Sequence, residues 1–186
     1  GRYSVEDFSK IRDTKIIELS DNEIENYVQT PWDLEGVDYL HLTSNETING
    51  VQLREFNKIQ HDSLLIDMSS DIGSYSFEWD NIAYVYAGAQ KNMGIPGVSI
   101  CIGNEKYLNS DDNSRYLNLG QLVEKNSLLN TPPTFSIYVL KLVTDWMIEM
   151  GGIKYFEEKS IRQSSRLYEQ LDCLLYTSDA PDDWCC

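Results

Sequence analysis

The sequence predicts an open α/β fold built on a central, mostly parallel sheet. Short apolar runs rich in Val, Ile, Leu and Tyr alternate with polar or helical segments, and buried parallel strands have this near-continuous apolar character. Ligand sites of such sheets lie beyond the carboxyl ends of the strands. Three polar residues lie at or shortly after the ends of predicted strands, namely Thr47, Asp67 and Lys91. The pattern therefore predicts both the sheet and the edge of it that carries the site.

Five strands and three helices are predicted from the apolar patterns. The strands cover residues 15–19, 37–43, 63–68, 83–86 and 98–102. A short helix with an acidic first turn is predicted at 21–27, and two longer helices at 135–150 and 153–172. Gly151 and Gly152 separate the longer helices. Apolar residues recur at helical spacing in both, and we expect these stripes to face the core: Phe135, Tyr138, Leu142, Trp146, Met150, Phe156, Ile161, Tyr168 and Leu171.

Composition limits the classes of function. The 186 residues are 41% hydrophobic and 11% aromatic, which predicts a folded domain. The net charge of −15 disfavours nonspecific binding to nucleic acid or to anionic membranes. No apolar run reaches the roughly 20 residues of a membrane span. Four cysteines without metal or CxxC spacing and two isolated histidines predict no metal site, reduced thiols and a cytoplasmic location.

Two strand ends carry residues of one particular chemistry. Asp67 ends the apolar run at 64–66, and Lys91 lies 24 positions later in a stretch of small residues, AGAQKNMG. A pyridoxal phosphate enzyme needs such a pair, because a lysine forms a Schiff base with the cofactor aldehyde and an aspartate keeps the pyridine nitrogen protonated. Taken singly, a lysine after a strand is more often a solvated loop residue. An aspartate there is more often a cap or a turn former.

Longer motifs strengthen the first interpretation. NETING at 45–50, DMSS at 67–70, YAGAQKN at 86–92 and NTPPT at 130–134 occur in this order. Together they resemble the phosphoserine aminotransferases, a family of class V pyridoxal phosphate enzymes, and the similarity runs from about residue 1 to about residue 172. The resemblance implies the large domain of the aspartate aminotransferase-like fold, here incomplete, and pyridoxal 5′-phosphate as the cofactor.

The resemblance also implies roles for individual residues. Lys91 would form the Schiff base and afterwards shuttle a proton, while Asp67 would pair with the pyridinium nitrogen. Thr47 would hydrogen-bond the region of the ring hydroxyl, and Gln90 would contact the cofactor. Tyr3 stands where the family usually has a tryptophan stacked on the ring.

The same resemblance implies a homodimer with shared active sites. Asn130 and Thr131 would donate to the cofactor phosphate of the neighbouring subunit, although Asn-Thr before proline is also a good turn and helix cap. The implied reaction exchanges an amino group between O-phospho-L-serine and 2-oxoglutarate, with 3-phosphohydroxypyruvate and L-glutamate as the other pair, in L-serine biosynthesis.

Three alternatives remain open at this point. One is another class V aminotransferase, such as an alanine–glyoxylate transaminase. Another is a desulfurase, for which Cys101 is poorly placed because it falls inside a predicted strand. The last is an inactive acidic α/β module that binds a partner.

The ends of the chain carry separate expectations. Residues 1–173 are predicted to be a partial large domain, because the family's N-terminal segment and C-terminal small domain have no counterpart here. Residues 174–186 do not continue the family pattern and resemble translated sequencing-adaptor read-through, so we expect a non-native tail. We therefore expect this chain to be an internal fragment that is inactive alone.

Overall fold

The computed structural model describes residues 9–10, 13–48, 50–108 and 118–176, which divide into two units at residues 35 and 36. In the first unit, helix α1 spans Asp21–Glu25. The backbone N–H of Ser20 donates to the Glu23 carboxylate at 2.9 Å, and this capping contact explains where the helix begins. The predicted helix is therefore confirmed. The strand predicted at 15–19 is wrong, because this segment is irregular and pairs with no described strand.

The second unit contains a four-stranded sheet. Strand β1 spans Leu40–Thr43, β4 spans Leu64–Asp67, β5 spans Ile82–Gly88 and β6 spans Ser99–Gly103, and their order is β1-β4-β5-β6. The first three are parallel, and β6 is antiparallel to β5. Four predicted strands are thus confirmed, as is the mostly parallel α/β fold.

A small antiparallel pair, which the sequence analysis missed, lies between β1 and β4 in the chain. Strand β2 spans Asn45–Glu46 and β3 spans Val51–Gln52. Each strand has only two residues, too few for a period of two to be visible. Single 3-10 turns follow at Phe56–Lys58 and Glu105–Tyr107.

The core lies on one face of the four-stranded sheet. Along β4 and β5 buried residues alternate with half-buried ones, so the two faces of the sheet differ. The buried face and the loops covering it supply side chains that are at most 2% exposed: Phe56, Ile59, Leu64, Ile66, Met68, Tyr75 and Val85. The opposite face carries more polar side chains, among them Asp67 and Tyr86.

Three helices follow the sheet. Helix α2 spans Leu119–Glu124, α3 spans Thr134–Glu149 and α4 spans Gly152–Tyr176. The last two match the predicted helices, and α4 continues to the end of the described residues. Among the described helices, none combines the length and apolar character that a membrane span requires.

The expected burial of the two apolar stripes is wrong. Of α3 only Met147 is buried, and most stripe residues are exposed: Phe135, Tyr138, Leu142, Trp146, Met150, Ile161, Tyr168 and Leu171. The main contact between the helices is the edge-on pair of Trp146 and Phe156, whose ring centroids lie 5.0 Å apart. Helical spacing gathers apolar residues on one face, but burial needs a second surface, and no described segment covers this one.

Candidate active site

Asp67 is the last residue of β4, where the carboxyl ends of the parallel strands meet. Its Oδ1 accepts two hydrogen bonds from Ser69, from the backbone N–H at 2.9 Å and from Oγ at 2.6 Å. Bonds of this kind to a carboxylate are short and strong, so they fix the orientation of the group. The aspartate is half-buried at the edge of the sheet, which is where the sequence predicts the site.

Lys91 lies in the turn that follows β5. This turn is held by its backbone, in which Met93 N–H donates to the Ala89 carbonyl at 3.0 Å, and by Asn92, whose Nδ2 donates to the Ile72 carbonyl at 2.6 Å. The side chain of Lys91 is exposed and makes no hydrogen bond or ion pair within the described part of the chain. An ammonium in this position is accessible to a ligand.

Ser69 joins the two strand ends. Its Oγ donates to Asp67 and also accepts the backbone N–H of Gly88, the last residue of β5, at 3.3 Å. One residue earlier, Met68 N–H donates to the Tyr86 carbonyl at 2.8 Å. The segments that carry Asp67 and Lys91 are therefore bonded to each other directly. Ser69 belongs to the DMSS motif, but the sequence analysis gave it no role.

Gln90 folds back over the end of β5. A Cβ built on Gly88 would collide with the side-chain amide of Gln90, so the amide occupies the space that only a glycine leaves open. This places an amide that can donate and accept beside the strand end carrying Lys91.

A second polar network holds the backbone of Asp67 from the β1 side. Ser44 N–H donates to the Asp67 carbonyl at 3.0 Å, and Ser44 Oγ donates to the Asp71 carboxylate at 2.5 Å. Gln52 Nε2 lies 3.3 Å from the other oxygen of Asp71. Ser44 and Asp71 are 0% and 3% exposed. Sequence reasoning missed this network, because its members lie up to 27 positions apart and only the fold brings them together.

Tyr86 and His41 lie beside Asp67, and both were missed as site residues. His41 Nε2 is 2.9 Å from the Tyr86 hydroxyl. Burial, and then the Asp67 carboxylate, raise the pKa of Tyr86 to about 12. Burial lowers the pKa of His41, and Asp67 partly opposes this. At neutral pH, Tyr86 is therefore a hydroxyl donor and His41 is mainly uncharged.

Within the described part of the chain, Thr47, Asn130 and Thr131 make no hydrogen bond to Asp67 or Lys91. Thr47 is exposed in the turn between β2 and β3. Asn130 and Thr131 are exposed just before α3. Tyr3 lies outside the described residues.

Helix α3 itself is attached to the segment after Lys91. Ser136 Oγ donates to the Pro96 carbonyl at 2.9 Å. A Cβ built on Gly94 would lie 3.6 Å from the backbone of Leu140. The helix that follows Asn130 and Thr131 is thus anchored close to the turn carrying Lys91.

One cavity lies apart from the two strand ends that carry Asp67 and Lys91. An open cavity of about 430 Å³ borders Gln52, Ser70 and Asp71 but includes neither Asp67 nor Lys91. In the part of the chain that the structure describes, no group of three or more His, Cys, Asp and Glu side chains is placed to hold a metal ion.

The sequence is similar to that of one protein family and its curated members. The family model for "Aminotransferase class-V" matches residues 10–178. The phosphoserine aminotransferase of Bacillus cereus (strain ATCC 10987 / NRS 248) is 37% identical over 184 residues, which are 96% of this chain and 51% of that protein. The chain spans about half the length of the curated relatives that it matches over nearly its whole sequence.

Solved structures agree with the sequence relatives. The phosphoserine aminotransferase from Bacillus circulans subsp. alkalophilus superposes with a TM-score of 0.68 at 40% identity, over 72% of this chain and 38% of that one. The PLP-bound phosphoserine aminotransferase from Trichomonas vaginalis gives 0.67 at 30% identity, over 73% and 40%. The family model covers most of the sequence. The chain belongs to the class-V aminotransferase family.

Proposed function

We propose that this chain is the cofactor-binding part of a phosphoserine aminotransferase. The proposed reaction moves an amino group between O-phospho-L-serine and 2-oxoglutarate, producing 3-phosphohydroxypyruvate and L-glutamate, as a step of L-serine biosynthesis. The single observation that carries the proposal is the bonding of two strand ends through Ser69, with Asp67 on one strand and Lys91 beyond the other. The named relatives of similar sequence support the choice of substrates.

The residues present fit pyridoxal 5′-phosphate. Asp67 offers an oriented carboxylate to the protonated pyridine nitrogen, and Lys91 offers an accessible amine. The Gln90 amide, seated over Gly88, adds a neutral donor. A carboxylate, an amine and an amide at one edge are a donor set suited to an aromatic aldehyde that carries a basic ring nitrogen.

The bound cofactor would supply a reactive aldehyde and a ring that accepts electrons from the substrate carbon. The chain supplies the remaining functions. Lys91 Nζ would hold the aldehyde carbon of the cofactor and would move a proton as a general base and acid. Asp67 holds the proton on the pyridine nitrogen, and Ser69 orients Asp67 for this task. Thr47 serves as a further contact for the ring hydroxyl.

The proposal extends to assembly and location. Asn130 and Thr131 are exposed beside the anchored start of α3, which supports a role on the cofactor phosphate of a second subunit in a homodimer. Residues 1–173 would then form part of the large domain, with 174–186 as a non-native tail, although α4 extends through Tyr176. Residues 177–186 lie outside the described residues. The proposed compartment is the cytoplasm.

Two alternatives have less support. A desulfurase requires a cysteine that can reach the substrate, whereas Cys101 lies in the middle of β6. An inactive acidic binding module would not require an accessible lysine beside an oriented aspartate. Another class-V aminotransferase, such as one acting on alanine and glyoxylate, differs in substrate and is separated by the experiment below.

Covalent trapping tests the proposed cofactor site. The chain is incubated with excess pyridoxal 5′-phosphate and reduced with borohydride, and mass spectrometry locates the modified lysine. We expect modification mainly at Lys91 and its loss in Lys91→Ala. The matched control is Lys58→Ala, which removes an exposed lysine that pairs with Glu55. Equal labelling of all lysines would contradict the proposal.

Competition then tests the substrate. O-phospho-L-serine added before reduction is expected to protect Lys91 from labelling at lower concentration than L-alanine does, because the preferred substrate amine displaces the lysine. Stronger protection by L-alanine would instead favour an alanine–glyoxylate enzyme.

A further inference from the structure

The register of the sheet places three polar side chains on one face. Asp67 in β4 pairs with Tyr86 in β5, and His41 in β1 pairs with Leu65, two residues before Asp67. Side chains two positions apart point to the same face of a strand. His41, Asp67 and Tyr86 therefore share the face opposite the apolar core, on three adjacent parallel strands.

Tyr86 contacts His41 directly and is paired with Asp67 in the sheet. The Tyr86 hydroxyl lies 2.9 Å from His41 Nε2, and their rings are stacked with centroids 6.0 Å apart at an interplanar angle of 28°. Tyr86 is also the register partner of Asp67 on the neighbouring strand. Burial, and after it the nearby Asp67 carboxylate, raise the pKa of Tyr86. The Oδ1 of Asp67 already receives both bonds from Ser69. The second oxygen is thus the one available to a further donor.

A hydroxyl between an imidazole and a carboxylate has one favourable orientation. An ionised carboxylate only accepts hydrogen bonds, so in a bond between Tyr86 and Asp67 the hydroxyl must be the donor. The Tyr86 oxygen then accepts from His41, which must carry its proton on Nε2. The row runs from imidazole to hydroxyl to carboxylate, and each member orients the next.

We propose that Tyr86 and His41 are positioning residues for Asp67. Tyr86 donates to the Asp67 carboxylate, and His41 holds the Tyr86 hydroxyl in the orientation that makes this possible. Ser69 and Tyr86 together then fix both oxygens of the carboxylate. The value of this arrangement rests on the proposed function, in which Asp67 must present a charged, correctly aimed oxygen to a pyridine nitrogen.

The tautomer of the His41 ring tests the proposed row of His41, Tyr86 and Asp67 in the absence of any cofactor. The chain has only two histidines, so nitrogen NMR of the labelled protein can assign the tautomer of His41 with His61 as an internal reference. We expect the Nε2–H form in the wild type. In Asp67→Asn, the amide oxygen should keep the bonds from Ser69 and turn its NH₂ toward Tyr86. The hydroxyl would then donate to His41, whose proton should move to Nδ1.

Matched tyrosine variants show whether Tyr86 transmits the effect. Tyr86→Phe should abolish the response of the His41 tautomer to Asp67→Asn. Tyr84→Phe is the control, because Tyr84 lies on the same face of β5 and stacks on the Tyr86 ring, whereas its own hydroxyl interacts with Cys101. If Asp67→Asn leaves the tautomer of His41 unchanged, or if Tyr84→Phe abolishes the response as fully as Tyr86→Phe, the positioning row is overturned.

Covalent trapping with pyridoxal 5′-phosphate tests whether the row of His41, Tyr86 and Asp67 affects the reactivity of Lys91. Tyr86→Phe should slow covalent capture at Lys91 about tenfold, since a hydrogen bond to a charged group contributes about 1.5 kcal/mol. Tyr84→Phe should stay within about twofold of the wild type. Failure of the wild-type chain to trap the cofactor at Lys91 contradicts the proposed function, whereas the tautomer experiment still decides whether the row exists. Equal capture rates for both tyrosine variants would overturn the positioning role.

Discussion

The β4–β5 region and the α3–α4 region are both rich in apolar residues but differ in how far these residues are buried. In the strands Leu64 and Ile66 are fully buried. In α3 Phe135 and Ile148 are 71% and 73% exposed. The strands have neighbours on both sides and covering loops on one face, whereas the helices leave most of their apolar side chains exposed. An apolar pattern therefore predicts which face of a strand or helix favours burial. Whether that face is buried depends on the structure that surrounds it.

The same comparison explains where the candidate site lies. Asp67 is held by hydrogen bonds from Ser69 and through its carbonyl by Ser44, within the tightly packed region. A site on such an element is positioned by the core beneath it. Asn130 and Thr131, at the start of the exposed helical region, lack comparable support from described residues.

Replacing one isoleucine in each region by alanine should give the largest difference in the free energy of unfolding. Ile66→Ala should lower the free energy of unfolding by about 2–5 kcal/mol, because it removes buried methyl groups and leaves a cavity. Ile148→Ala should change it by no more than about 0.5 kcal/mol, since the side chain is mainly in solvent. Urea denaturation followed by circular dichroism measures both. Similar losses in the two variants would show that α3 is covered in solution.

Removing one serine hydroxyl in each region should give a second, smaller difference in the free energy of unfolding. Ser44→Ala removes the donor to buried Asp71 and should destabilise the fold by about 1–3 kcal/mol. The control is Ser164→Ala on α4, whose exposed hydroxyl donates to the Ile161 carbonyl at 3.0 Å, and it should stay within about 0.5 kcal/mol. The same denaturation measurement applies. A neutral Ser44→Ala would mean that water replaces the lost donor.

Alkaline titration gives the smallest expected difference. The folded-state pKa of Tyr86 is about 12, above the unfolded value near 10. The unfolded chain therefore loses this proton first, and stability falls as pH rises between these two values. Tyr86→Phe should remove about 1 kcal/mol of this fall, less than a fully buried group would give because Tyr86 is only half-buried.

Tyr138→Phe is the control for the titration, because Tyr138 lies on the exposed face of α3. Its stability curve should retain the alkaline fall of the wild type. Denaturation midpoints measured at pH 9, 10 and 11 would separate the two variants, and identical curves would contradict the burial of the Tyr86 hydroxyl.

Local patterns in the sequence predicted most of the elements correctly. Near-continuous apolar runs located β1, β4, β5 and β6, and α3 and α4 were found within a few residues. The strand predicted at 15–19 failed because apolar character alone does not provide a pairing partner. The β2–β3 pair was missed because two-residue strands carry no periodic signal.

For the site, the sequence by itself determined which chemical groups are available and where along the chain they stand. Asp67 and Lys91 each follow an apolar strand, and residues after parallel strands lie at one edge of the sheet for geometric reasons. Only the tertiary structure decided what surrounds them. The bonds of Ser69 to Gly88 and of Ser44 to Asp71, and the contact of His41 with Tyr86, join residues 19, 27 and 45 positions apart. Such contacts arise from strand register and loop packing, which no local pattern encodes.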